Sequence, residues 1–202
     1  MHMKKLFFGA ITTIAFTAFT SISGPLPIGS EIPKPDVKMK DISGQLVSLR
    51  EAKGPNGLLV MFTCNTCPYV VKNQDRTKEI CRYALDKKMG VILLNSNEAA
   101  RGSGDSYADM QAYAKGQGYQ WNYVLDSDNV LADAFGASRT PECFLFDKDS
   151  KLVYHGAIDD SPADISNVHR THLKEAVNEL VSGKDVTVKE SRSVGCGIKR
   201  KG

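Results

Sequence analysis

Five residues, Leu58-Leu59-Val60-Met61-Phe62, run continuously apolar and pass through a single threonine into Cys64-Asn65-Thr66-Cys67-Pro68. An unbroken apolar run of this length reads as a strand buried on both faces. A proline in a helix's first turn loses no intrahelical bond, so Pro68 can open one directly after the strand. The junction therefore demands a sheet covered by helices on both sides, with two cysteines at the point where strand becomes helix.

The rest of the chain extends this plan. Val37 to Leu49 reads as a hairpin turning at Asp41-Ile42-Ser43-Gly44. The helix opened by Pro68 is expected to reach about Lys87, and Val91-Ile92-Leu93-Leu94 is a second buried strand. Asp105, closing the loop Gly102-Ser103-Gly104-Asp105, can cap a helix through Lys115. Tyr123 to Leu125 is a short strand and Val130 to Phe135 a short helix. Cys143 to Phe146 is a strand, the turn Asp147 to Ser150 follows, and Leu152 to Ile158 returns. Val168 to Val181 is a closing helix. Parallel units followed by an antiparallel hairpin and a helix give an α/β fold with a mixed central sheet flanked by helices and an N-terminal β-hairpin.

The N-terminus has the organisation of a secretory signal. Lys4-Lys5 is followed by the uncharged, apolar run Leu6 to Phe19 and by the small residues of Ser21-Ile22-Ser23. The apolar run is too short to span a bilayer as a stable helix. Residues 1–23 are therefore expected to be a signal peptide and the protein to be exported, periplasmic or secreted, without stable membrane insertion after cleavage. Residues 24–35, rich in proline, read as an extended leader, 36–188 as the domain and 189–202 as a C-terminal tail. The formal charge is +3, and setting Lys4 and Lys5 aside leaves 24 basic against 23 acidic residues. That balance is weak ground for a nucleic-acid partner, the one basic cluster, Lys199-Arg200-Lys201, reads as a solvated tail, and no nucleic-acid partner is expected.

Export gives the five cysteines, Cys64, Cys67, Cys81, Cys143 and Cys196, a particular meaning. Disulfides persist outside the cytoplasm, and five cysteines are too few to staple a chain of 202 residues. A cysteine at a helix N-terminus faces unpaired N–H groups and the positive end of the helix dipole, which favour thiolate. Thiolate is the nucleophile, so Cys67 is the expected attacking residue and Cys64, three residues earlier, can close a disulfide with it.

With Thr140-Pro141 placed just before a later strand, the whole mature chain resembles the peroxiredoxin-like branch of the thioredoxin superfamily. The matching stretches are Lys40-Asp41-Ile42-Ser43-Gly44 through Val47-Ser48-Leu49, Cys64 to Val70, Thr140-Pro141-Glu142 with Phe144-Leu145-Phe146-Asp147, Gly156-Ala157-Ile158-Asp159-Asp160-Ser161, and Ser193-Val194-Gly195-Cys196. The resemblance implies a thioredoxin-like fold, redox activity with no cofactor or metal, and a cis Thr140–Pro141 bond packed against the cysteines. It also implies a register. Cys67 falls where thioredoxins carry the first cysteine of their pair and where peroxiredoxins carry the peroxide-attacking one. Val70 stands in place of thioredoxin's second cysteine, and Cys64 in place of a peroxiredoxin threonine. Thr66 stands where the family often has histidine.

Three functions fit these residues. In a thiol–disulfide oxidoreductase, Cys67 attacks, Cys64 resolves, Pro141 shapes the groove and Thr140 offers backbone groups to a bound peptide. The partners are then protein or small-molecule thiols and disulfides. In a thiol peroxidase, Cys67 becomes a sulfenic acid that Cys64 or Cys196 condenses with. Hydroperoxides are then the substrates, and Arg139 is the sequence candidate for polarising them. In a copper-binding protein, two thiolates and His155 would hold Cu(I). Short-loop closure favours Cys64 as resolving partner, with Cys196, on a glycine-flanked tail, at most an alternate. Glu142 reads as a solvated strand-edge charge, or as a contact for substrate or a cysteine proton. Asp159-Asp160 reads as turn chemistry, or as a pair holding the active-site region; Cys81 reads as core, and Cys143 as core or as a residue approaching the site from the side of Pro141. His155, His169 and His172 read as packed or surface residues.

Overall fold

The computed structural model describes residues 24–201, so the expected signal peptide lies outside the described residues. Fifteen helices and strands follow in order. They are β1 (Met39–Asp41), β2 (Leu46–Val47), α1 (Leu49–Ala52), β3 (Leu58–Thr63), α2 (Pro68–Lys72), α3 (Gln74–Asp86), β4 (Gly90–Asn95) and α4 (Tyr107–Gln117), then β5 (Asn122–Leu125), α5 (Val130–Phe135), β6 (Arg139–Thr140), β7 (Glu142–Phe146), β8 (Leu152–Gly156), α6 (His172–Val181) and β9 (Cys196–Gly197). Seven strands form one sheet in the order β2-β1-β5-β4-β3-β7-β8. Strands β3, β4 and β5 run parallel, and β7 and β8 antiparallel. A separate two-stranded pair joins β6 to β9.

Strand β3 is buried along its whole length, and its alternation divides the core. Leu59 and Met61 face one layer with α3, α4 and α6, through Ile80, Ala84, Met110, Leu173 and Val177. Leu58, Val60 and Phe62 face the other, with Leu49 of α1 and Leu131 and Phe135 of α5. Burying a side chain of this size is worth about 1.5–3 kcal/mol, so the register of β3, which places the cysteine junction, is firmly set. Cys81 and Cys143 both lie in the first layer.

Four local expectations need correction. The helix from Pro68 breaks at Asn73, whose side chain donates to Tyr69 O (2.7 Å) and Pro162 O (2.8 Å), tying the break to a distant loop. Helix α4 is capped by Ser106 in a capping box with Asp109, not by Asp105. Helix α6 starts at His172 because His169 N and Arg170 O are bonded to Asp160 instead. Strand β8 ends at Gly156, with φ at 152° and Ser191 so close that a Cβ would stand 2.3 Å from its Oγ. In the segment 24–35, Leu26 and Ile32 enter the second core layer.

Candidate active site

Cys64 lies in the loop between β3 and α2, and Cys67 is the N-cap residue of α2, with Pro68 in the first turn. Both thiols are buried, 1% and 3% exposed, and they pack with Val70, Tyr69 and Cys196. The Thr140–Pro141 bond is cis, and Thr140 touches both cysteines. Its carbonyl oxygen lies 3.3 Å from Cys67 Sγ, and its Oγ1 meets Cys64 Sγ at 3.4 Å.

The structure brings Cys196 to the same point. Thr140 and Cys196 are paired antiparallel in β6 and β9, and the Cys67 and Cys196 sulfurs are 2.7 Å apart. The tail is thus an ordered strand. Loop-closure entropy, which counted against Cys196 for a free tail, has already been met by folding.

Three thiols in contact cannot ionise alike. Hydrogen bonding from Cys64 lowers the Cys67 thiol to about 4 against the cost of burial, with further bonds from Cys196 and from the backbone at Val70 and Cys196. Cys64 is driven upward by that same bond with Cys67 and by burial, and the charge of Asp105 adds to the shift. Cys196 is raised to about 11, chiefly by burial and then by its bond to Cys67. The shifts favour ionisation at Cys67 over either of its neighbours.

The loop itself hangs on a residue that the sequence places elsewhere. Asp105 is fully buried and accepts from Asn65 N (2.8 Å), Thr66 Oγ1 (3.2 Å), Asn95 Nδ2 (2.9 Å) and Asn97 Nδ2 (3.0 Å). Asn65 is fixed further by Gly104 O and Tyr123 Oη. The signal for this network is Asn95-Ser96-Asn97, three polar residues directly after a buried strand that need buried partners.

Glu142 is buried rather than solvated. Its Oε2 accepts from Ser138 N (2.8 Å) and Arg139 N (3.1 Å), and its Oε1 meets His155 Nε2 at 2.8 Å. It therefore fixes the backbone leading into Thr140. His155 is stacked on Phe144, 4.4 Å between ring centres, and among the described residues no group of three or more His, Cys, Asp or Glu is arranged to hold a metal ion. Arg139 donates to Ser138 Oγ at 3.4 Å and makes no hydrogen bond to the three thiols. Asp159 pairs with buried Arg76 of α3, which also donates to Ser161 O (3.0 Å) and Pro162 O (3.3 Å), joining the loop after β8 to the helix behind the site.

The model of the Redoxin family matches residues 27–171. The thiol-disulfide oxidoreductase ResA of Bacillus subtilis (strain 168) is 24% identical over 151 residues, covering 71% of this chain and 76% of that protein. A crystal structure of a hypothetical protein from Sinorhizobium meliloti 1021 is 32% identical with a TM-score of 0.80, covering 90% of this chain and 99% of the other. A thioredoxin-like protein solved in its oxidised form has a TM-score of 0.63 at 19% identity, over 79% of this chain and 99% of its own, and so shares the fold.

Proposed function

The chain belongs to the Redoxin family, and on that premise we propose that it is an exported thiol–disulfide oxidoreductase with Cys67 as attacking thiolate and Cys64 as resolving thiol. The observation that carries this is the packing of Cys64 and Cys67 together at the start of α2, both against the cis Thr140–Pro141 bond. Cys67, at the start of α2, is the thiol most disposed to ionise, and Cys64, raised chiefly by its bond to Cys67, loses that bond once Cys67 enters a mixed disulfide and can then attack it. A disulfide sulfur is attacked by Cys67, giving a Cys67 mixed disulfide and one released thiol. Cys64 then attacks Cys67 Sγ, closing Cys64–Cys67 and releasing the second thiol, so two electrons leave the protein.

The name of the B. subtilis relative supports this chemistry, and Asp105 supports it by holding the loop in shape. Reduced protein is expected to be oxidised by a model disulfide in one-to-one stoichiometry. Cys67→Ser should abolish the reaction, and Cys64→Ser should leave Cys67 trapped in a disulfide that it cannot pass on. If Cys67 returns to the thiol in Cys64→Ser as fast as in the wild type, Cys64 does not resolve.

Thiol peroxidase is the second reading, favoured by the burial of Cys67, which admits a small oxidant more readily than a large one. Hydrogen peroxide separates the two. A peroxidase oxidises Cys67 far faster than a free thiol reacts, whereas an oxidoreductase reacts sluggishly. Export rests on Lys4-Lys5, the apolar run and Ser21-Ile22-Ser23. N-terminal sequencing of native protein should begin close to Gly24, and intact protein retained in the cytoplasm would contradict it.

A further inference from the structure

Strand β9 already fills the edge at which a bound peptide would pair. Thr140 pairs with Cys196, Arg139 with Gly197, and Ile198 N donates to Ser138 O at 3.0 Å. Gly195 crosses Thr140 so closely that a Cβ there would lie 2.0 Å from Thr140 O. The backbone groups expected to receive a peptide are thus taken by the chain's own C-terminal strand.

That strand is tied down on both sides. Before it, Ser191 N donates to His155 O (3.0 Å), His155 N donates to Lys189 O (2.9 Å), and Ser191 Oγ accepts from Ala157 N (3.0 Å). After it, Lys199 N donates to Asn97 Oδ1 (2.9 Å), Ala99 N donates to Lys199 O (2.9 Å), and Arg200 reaches Ala137 O (2.7 Å). Lifting β9 breaks these bonds together and leaves buried groups unpaired. Cys64 and Cys67 lie beneath it, 1% and 3% exposed, whereas Cys196 is partly exposed.

We propose that Cys196 is the thiol through which this site meets its partners, and that those partners are low-molecular-weight thiols and disulfides rather than protein chains. The proposal rests on the redox reading above, keeps Cys67 as attacking thiolate and Cys64 as resolving thiol, names the substrate class, and makes the disulfide sulfur that Cys67 attacks the one carried on Cys196. Cys196 passes its proton to the Cys67 thiolate 2.7 Å away and attacks a small disulfide RSSR as thiolate; the Cys196–SR bond forms, and the leaving RS⁻ takes the proton from Cys67 and departs as RSH, leaving Cys67 a thiolate again. Cys67 thiolate attacks Cys196 Sγ; the Cys67–Cys196 bond forms and RS⁻ leaves. Cys64 attacks Cys67 Sγ; Cys64–Cys67 closes, and Cys196 recovers a proton from Cys64. Two electrons have passed from the buried pair to RSSR, and the reverse sequence oxidises small thiols. In that direction Cys67 is the leaving group, and a thiol of low pKa leaves readily.

The test compares oxidised glutathione with insulin as oxidants of the reduced full chain, with mass mapping of the adducts. Oxidised glutathione is expected to react at least about tenfold faster than insulin disulfides at equal concentration, since only the small reagent reaches a partly exposed thiol. In Cys67→Ser the sequence stalls after its first step, and the glutathione adduct should sit on Cys196. In Cys196→Ser the glutathione reaction should slow by about tenfold or more, because the exchange thiol is gone. Equal rates for the two probes, an adduct on Cys64 in place of Cys196, or a Cys196→Ser rate equal to wild type would overturn the proposal. If neither probe oxidises wild-type cysteines, the redox reading itself fails, and the proposal with it.

Discussion

Of the three neighbouring thiols, Cys67 is the one whose pKa is lowered, while Cys64 and Cys196 are raised. Its ionisation should be visible directly. The ultraviolet absorbance of thiolate in the reduced protein is expected to titrate with a midpoint near 4 and to vanish in Cys67→Ser. A midpoint at the ordinary thiol value, ~8.5, would contradict the arrangement. The same shift predicts a dependence of stability on pH. Cys67 has a lower pKa folded than unfolded, so the unfolded chain binds more protons between these values. Its contribution is complete above the unfolded value and is lost as pH falls toward about 4. Thermal denaturation of reduced wild type should therefore lose more stability across that window than Cys67→Ser does. Parallel curves would mean that folding does not favour the thiolate. Asp105 is the other decisive residue. Asp105→Ala leaves four donors without their acceptor, two of them on buried Asn95 and Asn97. Each stranded buried donor costs about 1–3 kcal/mol, so urea denaturation should show a loss of about 3 kcal/mol or more. A loss within ~0.5 kcal/mol, typical of a surface change, would remove Asp105 from the loop's support.

At the level of elements, most of the scaffold is legible in the sequence because it rests on short-range signals. The apolar runs at 58–62 and 91–94 become β3 and β4, and Pro68 opens α2 as a first-turn proline should. The misplacements occur where a residue distant in the chain supplies the partner. Asn73 breaks the helix because Pro162 O is there to receive its amide, and α6 starts late because Asp160 engages His169 and Arg170 first. Strand β9 is the strongest case. A single cysteine between Gly195 and Gly197 carries no periodicity, so the tail reads as free, and only the edge offered by Arg139 and Thr140 makes it a strand. Glu142 misleads for a similar reason. A charge at a strand's start reads as solvated, whereas here it binds two backbone N–H groups and His155. The cysteine pair is legible because helix-start chemistry is local; the third thiol is not, because its proximity is tertiary.

Across the whole molecule, the site is held by its two ends. The junction of β3 and α2 contributes Cys64 and Cys67, and the chain's last ordered strand contributes Cys196. Between them, Arg76 and Asp159 join α3 to the loop after β8. Removing one partner of a buried ion pair strands the other, so Arg76→Ala should cost about 3–5 kcal/mol in urea denaturation. A change below ~1 kcal/mol, the range of an exposed pair, would show that the pair does not brace the fold. The central claim, that this fold exists to run thiol–disulfide exchange through Cys67, is tested most directly by disulfide mapping. The full chain would be equilibrated across a series of glutathione redox buffers, quenched with acid and analysed by mass spectrometry. One reversible two-electron transition is expected in which every disulfide formed within the chain contains Cys67, joined to Cys64 or Cys196, while Cys81 and Cys143 stay reduced. A Cys67 that remains a thiol throughout the series, or disulfides formed by Cys81 or Cys143 in its place, would contradict it.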